Sequence, residues 1–195
     1  MNSVENSIRQ KIQVVLAFVG VIWGVFLLEF VFPLTAYGVT PRTVRGLIGI
    51  PAAPFLHLNF QHIASNTPPL IVLLFLLAGT NVRAWQVVAE LVLLGGGLLW
   101  LFGRPATHIG ASGLIFGLIA FLIISGIRNR RFVPLIASVV VAYLYGGVLL
   151  WGVVPQLASA TSWEGHLCGA VAGAIVASLG TTVKPQAGTR LNSNT

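Results

Sequence analysis

Long apolar runs alternate along this chain with short polar or Gly/Pro-rich breaks. A helix needs about 17–25 mainly apolar residues to cross a hydrocarbon core of about 30 Å. Six runs of this kind lie at 12–32, 61–79, 84–102, 112–127, 133–152 and 164–182, and each predicts a membrane span. The first is long for a secretory leader, carries Glu29, and is followed by "FPLTAYGVTPR" rather than a small-residue cleavage site, so it reads as a retained span. The long first loop, 33–60, contains Pro33, Pro41, Pro51 and Pro54 and is expected to lie in or near the interface. With no linker and no clear repeat, residues 1–182 read as one membrane domain, and 183–195 as a polar, disordered tail.

Composition agrees with the pattern: of 195 residues 56% are hydrophobic and 8% charged, against roughly 25% charged in soluble domains. The charges then orient the spans. Arg9, Lys11, Arg83, Arg128, Arg130, Arg131, Lys184 and Arg190 fall on one side, and only Arg42, Arg45 and Arg104 on the other, so both termini are expected in the cytoplasm. Trp85, Trp100, Trp151 and Trp163 sit near predicted span ends, as interfacial aromatics do. The net charge of +7 is spread over several loops, which fits topology and anionic headgroups and argues against nucleic acid as a partner. The single cysteine, Cys168, is a packing residue without a disulfide partner in the chain. H-E-x-x-H is absent and only His57 and His62 are close in sequence, so neither metal nor cofactor is expected. The prediction is an all-α, polytopic protein of the cell membrane, a bundle of six transmembrane helices.

Polar side chains inside spans are costly and face the bundle interior, a partner or water. His62 and Asn66 stand at i and i+4 on the second span, ahead of Pro68 and Pro69, which free the carbonyls of Ala64 and Ser65 and are expected to bend the helix. This pair reads either as functional or as interhelical glue; His57 and Asn59 read as loop residues. The fourth span opens "GASGLIFG", with Gly113 and Gly117 in small-xxx-small spacing, and the sixth carries Gly165, Gly169 and Gly173 in the same spacing. Two glycine-faced helices invite close packing, which brings Ser112 and His166 toward the distance of a nucleophile and its base, about 2.6–3.2 Å. Glu29 and Glu90 are expected mid-span, in interhelical hydrogen bonds. The four polar groups His62, Asn66, Ser112 and His166 belong to the same, non-cytoplasmic side.

Over residues 10–182 the chain resembles a rhomboid intramembrane serine protease of the compact six-span prokaryotic type. "HIASN" (His62 to Asn66), "GASG" (Gly110 to Gly113) and "GHLCGAVAG" (Gly165 to Gly173) carry the resemblance, in this order on the second, fourth and sixth spans. It implies Ser112 as nucleophile, His166 as its base, and His62, Asn66 and the Ser112 amide as the oxyanion hole. Phe116 stands where the family often has a tyrosine that stacks on the catalytic histidine, so stacking is expected without the hydroxyl. The family's frequent Trp-Arg motif in the first loop is replaced by "TPRTVRGLIG", and no role passes to Arg42 or Arg45. The implied partners are transmembrane protein substrates in the lipid bilayer, cut near the non-cytoplasmic face at small residues. Glu164, two residues from His166, points elsewhere and suits the helix start; His108 is either a solvated loop residue or part of a water entrance. A silent client-binding relative and a small transporter are the rival readings.

Overall fold

The structure, a computed structural model, describes residues 3–81, 83–155 and 161–180. The predicted tail and the last two positions of the predicted sixth span, 181–182, lie outside them. Among the described residues the fold is all-helical, with seven α-helices: α1 (Ser3–Leu28), α2 (Gly46–Ala52), α3 (Phe60–Thr80), α4 (Ala84–Phe102), α5 (Ser112–Asn129), α6 (Phe132–Gly152) and α7 (Trp163–Leu179). Five of them, α1 and α3 to α6, are long and apolar enough to cross a membrane. The chain is therefore an integral membrane protein. The helix read as the sixth span is shorter than predicted: α7 has 17 residues, at the low end of the roughly 17–25 a span needs.

Helix α5 occupies the centre. Every residue from Leu114 to Leu122 is buried, and α5 packs on α7 and α6 and also meets α3 and α4. By contrast α6 buries only Ala137, Ser138 and Val141, and its exposed Val, Leu and Tyr residues suit contact with lipid tails. Lipid is as apolar as leucine, so helices in a bilayer associate by close packing rather than by expulsion of water. The glycines supply that packing. A Cβ on Gly113 would lie 3.3 Å from the Gly165 carbonyl oxygen, and one on Gly117 3.2 Å from that of Gly169. From the other side, a Cβ on Gly169 or Gly173 would enter the carbonyl of Gly113 or Gly117. The predicted glycine seam between α5 and α7 is present along its length.

The first loop carries more structure than the sequence suggested. Two 3₁₀ turns, Leu34–Tyr37 and Ala53–Phe55, flank α2, which packs on α4. Arg42 Nη1 donates to the carbonyls of Leu101 and Gly103 at 3.0 and 2.9 Å, a cation at the C-terminal end of α4 where the helix dipole favours it. Trp100 Nε1 donates in return to the Thr43 carbonyl at 2.8 Å.

The acidic residues depart from expectation. Glu29 lies just past the end of α1, not within a span, and its carboxylate accepts the His57 amide at 3.1 Å. Among the described residues Glu90 bonds no other helix; it pairs at 3.7 Å with Arg83, two turns earlier at the start of its own helix, where both side chains are about half exposed. A bridge within one helix end is available without burying either charge. Pro68 and Pro69 lie inside α3, which continues through them as one element.

Candidate active site

The N-terminal ends of α3, α5 and α7 meet at one end of the bundle, and the sequence-predicted polar residues are on those ends. On α3, Asn59 is the N-cap: its Oδ1 accepts the His62 amide at 2.9 Å. This anchors the turn bearing His62 and, one turn on, Asn66. Asn66 is buried, and its Nδ2 has no hydrogen-bond partner among the described residues.

The loop from α4 to α5 closes onto this pair. Gly110 has φ +113°, a conformation that only glycine adopts without strain. A Cβ there would come within 2.6 Å of His62 Nε2 and 3.8 Å of Asn66 Nδ2. The glycine two residues before Ser112 is thus required both by its backbone angle and by the imidazole against it. Its amide donates to the Ala53 carbonyl at 2.9 Å. Ser112 follows as the first residue of α5, a helix whose N-cap, Ala111, makes no side-chain capping bond. First-turn amides have no partner within the helix, so the Ser112 N–H is a donor directed out of an uncapped helix end.

On α7, His166 is buried and lies flat against Phe116, with ring centroids 4.0 Å apart and planes 5° apart. The expected stack is present. Phe116 is one turn after Ser112 on the same face of α5, so the ring that holds His166 is rooted beside the serine. His166 Nδ1 lies 3.0 Å from the Gly152 carbonyl at the end of α6. A carbonyl only accepts, so Nδ1 carries the proton and Nε2 keeps its lone pair. Gly152 itself has no room for a side chain, since a Cβ would run into the Phe116 ring. No hydrogen bond joins Ser112 to His166 among the described residues.

A second cluster braces these ends. His108, in the loop before Ser112, is 5% exposed and not solvated. Its Nδ1 lies 2.6 Å from Ser162 Oγ, and its Nε2 3.1 Å from the Arg104 carbonyl. Nε2 therefore donates, and the Ser162 hydroxyl donates to Nδ1 while accepting the Gly165 amide as the N-cap of α7. Burial holds the His108 pKa below its ordinary value, against the upward pull of the Arg104 carbonyl and of Glu164. Glu164 is buried in the first turn of α7 and pairs with Arg104 at 3.4 Å. The backbone of His108 also exchanges two hydrogen bonds with Val39, at 2.8 and 2.9 Å, joining the first loop to the loop that carries the serine. Ser112, Gly113, His108, Ser162 and Gly165 line a cavity of about 50 Å³.

Three contributors escaped the sequence reading. Asn59 and His57 were legible only as loop residues, although His57 is 1% exposed; Gly152 acts through its carbonyl, which carries no residue signature. Among the described residues no group of three or more His, Cys, Asp or Glu is arranged to hold a metal ion.

A family model for the Rhomboid domain matches residues 44–182. An uncharacterized protein of Mycobacterium tuberculosis is 44% identical over 156 residues, covering 75% of this chain and 64% of the relative. One of Mycobacterium leprae is 43% identical over 169 residues, covering 79% and 66%. A protein of Acanthamoeba polyphaga mimivirus that is named as a rhomboid protein is 28% identical over 153 residues, covering 74% of this chain and 79% of its own length. The chain thus spans 64% of the Mycobacterium tuberculosis protein that it matches. With the domain match extending from the first loop into the last helix, over the elements that carry the GASG serine and the glycine-faced histidine helix, the chain belongs to the rhomboid family.

Proposed function

We propose that this protein is an intramembrane serine endopeptidase that cuts transmembrane segments with a Ser112–His166 dyad. The observation that carries the reading is the mounting of His166: stacked flat on Phe116 and donating from Nδ1 to the Gly152 carbonyl, it keeps Nε2 as a base. In a serine triad the orienting group is a carboxylate; here a backbone carbonyl has that part. Nε2 takes the Ser112 proton as Oγ attacks a substrate carbonyl. Negative charge then develops on the carbonyl oxygen, and donors must already be in place for it. The Ser112 amide, the Asn66 carboxamide and His62 are the proposed donors, and Asn66 Nδ2, buried without a partner, is a donor held in reserve for such a charge. His166 next gives its proton to the leaving amine, and water hydrolyses the acyl-enzyme.

A peptide bond within a membrane helix is shielded, so the substrate must unwind locally, which Gly, Pro and polar residues favour. The cavity of about 50 Å³ beside Ser112 suits a small side chain. With α7 counted as a sixth span, the charge distribution supports cytoplasmic termini, a site on the opposite side, and residence in the plasma membrane.

A second reading, a silent client-binding rhomboid, draws on the missing hydrogen bond between Ser112 and His166. Such bonds are often long in unliganded enzymes and tighten only with substrate, which favours the protease. Cleavage of a single-span reporter by the purified protein separates the two. The protease reading expects cleavage that Ser112→Ala abolishes; a folded protein that binds the reporter and leaves it intact would replace it with the client-binding reading.

A further inference from the structure

His57 belongs to the loop ahead of α3 and has no part in the reaction as described, yet at 1% exposure it is among the most deeply buried side chains of the protein. Burying a polar ring is costly unless its contacts compensate. Its amide is held by Glu29 at 3.1 Å. Its Nε2 accepts the Ala111 N–H at 3.4 Å. The ring meets that of His62 edge on, with centroids 5.0 Å apart at 65°. Because Nε2 accepts, the neutral ring carries its proton on Nδ1, on the side of the Phe55 carbonyl, and among the described residues no acceptor meets it with hydrogen-bond geometry.

These contacts reach two of the three proposed oxyanion donors from behind. Ala111 is the N-cap of α5 and immediately precedes Ser112, so the peptide that His57 holds is the one next to the Ser112 amide. Ala111 offers no side-chain cap, and among the described residues His57 is the side chain bonded to its amide. The edge-on packing of His57 against the His62 ring, which also lies where a Cβ on Gly110 would stand, limits rotation of that ring.

We infer that His57 is a positioning residue of the oxyanion hole, holding the Ala111 amide through Nε2 and the His62 ring by contact, so that the Ser112 and His62 donors converge on one point. The inference rests on the protease reading. A misplacement of about 1 Å in a catalytic group costs about 10²-fold in rate, and loss of a supporting contact behind a functional group about 10- to 100-fold.

The test uses the full chain in detergent with the single-span reporter. His57→Leu fills the volume without an acceptor; His57→Gln returns a carboxamide oxygen toward the Nε2 position; His57→Asn, too short to reach Ala111, takes the place of leucine if that variant does not fold. The expected result is a kcat about 10- to 100-fold lower for His57→Leu, with KM and Tm close to wild type, and recovery of most of that loss in His57→Gln. Combined with Asn66→Ala, the His57→Leu loss should be less than multiplicative, because both act on one site. Wild-type kcat in His57→Leu, or a kcat loss that follows Tm with no recovery in His57→Gln, would overturn the inference while the protease reading stands. A folded wild type that neither cleaves the reporter nor reacts with a fluorophosphonate would remove the protease reading and this inference with it.

Discussion

The role proposed for Asn66 sets function against stability at a single residue. Its Nδ2 is buried without a hydrogen-bond partner, and such a donor costs a protein about 1–3 kcal/mol. Asn66→Leu keeps the volume and removes the unpaired donor, so its Tm is expected to equal or exceed that of the wild type. Its kcat should fall about 10²- to 10³-fold, the usual cost of one oxyanion donor. Thermal unfolding and reporter cleavage on the same preparation check both halves; a lower Tm with unchanged kcat contradicts the assignment. His57 yields a pH prediction. Burial, reinforced by the neighbouring His62, pushes its pKa from 6.5 down to about 4, against the upward pull of the Phe55 carbonyl. Between pH 6.5 and about 4 the unfolded chain therefore binds a proton that the folded one refuses, and stability falls as pH falls through this window. His108, lowered in the same direction by burial, adds to the effect. Tm should be level above pH 7 and decline below about 6.5, with a shallower decline in His57→Leu. The catalytic candidates were legible because each chemistry-bearing residue stands beside a glycine or on a helical repeat. His57 was not legible, since nothing local tells a buried loop histidine from a solvated one.

Between elements, the contact that matters most is the glycine seam of α5 and α7. Gly169→Ala would drive a methyl group into the Gly113 carbonyl, whereas Gly97 on α4 has open space around its Cα. Overpacking of this kind costs about 1–3 kcal/mol, and here it also shifts the helix bearing His166. The expected outcome for Gly169→Ala is a lower Tm together with lost cleavage, while Gly97→Ala keeps activity and gains up to about 1 kcal/mol from helix propensity. Unfolding midpoints for the pair check this; equal effects would mean that the seam is not under close contact. Apolar run length located α3 to α6 to within a few residues, because a span has to be long and uniformly apolar. It misjudged α1, which begins at Ser3 rather than 12 and ends at Leu28 rather than 32, since Phe30 to Phe32 stay apolar after the helix has stopped. It also missed α2, a seven-residue helix with Pro51 inside it, too short for any periodicity to register.

At the scale of the whole molecule, the proposed site lies at the end of the bundle that carries Arg42, Arg45 and Arg104, while Arg128 at the other end donates to the Ser178 carbonyl near the close of α7 at 3.3 Å. The proposed topology sets these ends on opposite sides of the membrane. Cys168 is buried, so single cysteines introduced elsewhere can be followed with an impermeant maleimide. In intact cells Thr107→Cys should react, and Asn129→Cys should react only after the membrane is opened; the reverse order would invert the topology. The three site-bearing helix ends meet at one face of the bundle, as the proposed alternation of spans requires, and this was readable from the run order. Which side chain brings the histidine into register was readable only in part, because Phe116 is in the sequence pattern and the Gly152 carbonyl is not. On the proposed mechanism Ser112 is activated by His166. The most direct test is reaction of the purified, folded protein with a fluorophosphonate, with the modified residue mapped by mass spectrometry. Modification is expected at Ser112, absent in Ser112→Ala and strongly reduced in His166→Ala; a folded wild type that stays unmodified, or label that persists in Ser112→Ala, would rule out an activated Ser112.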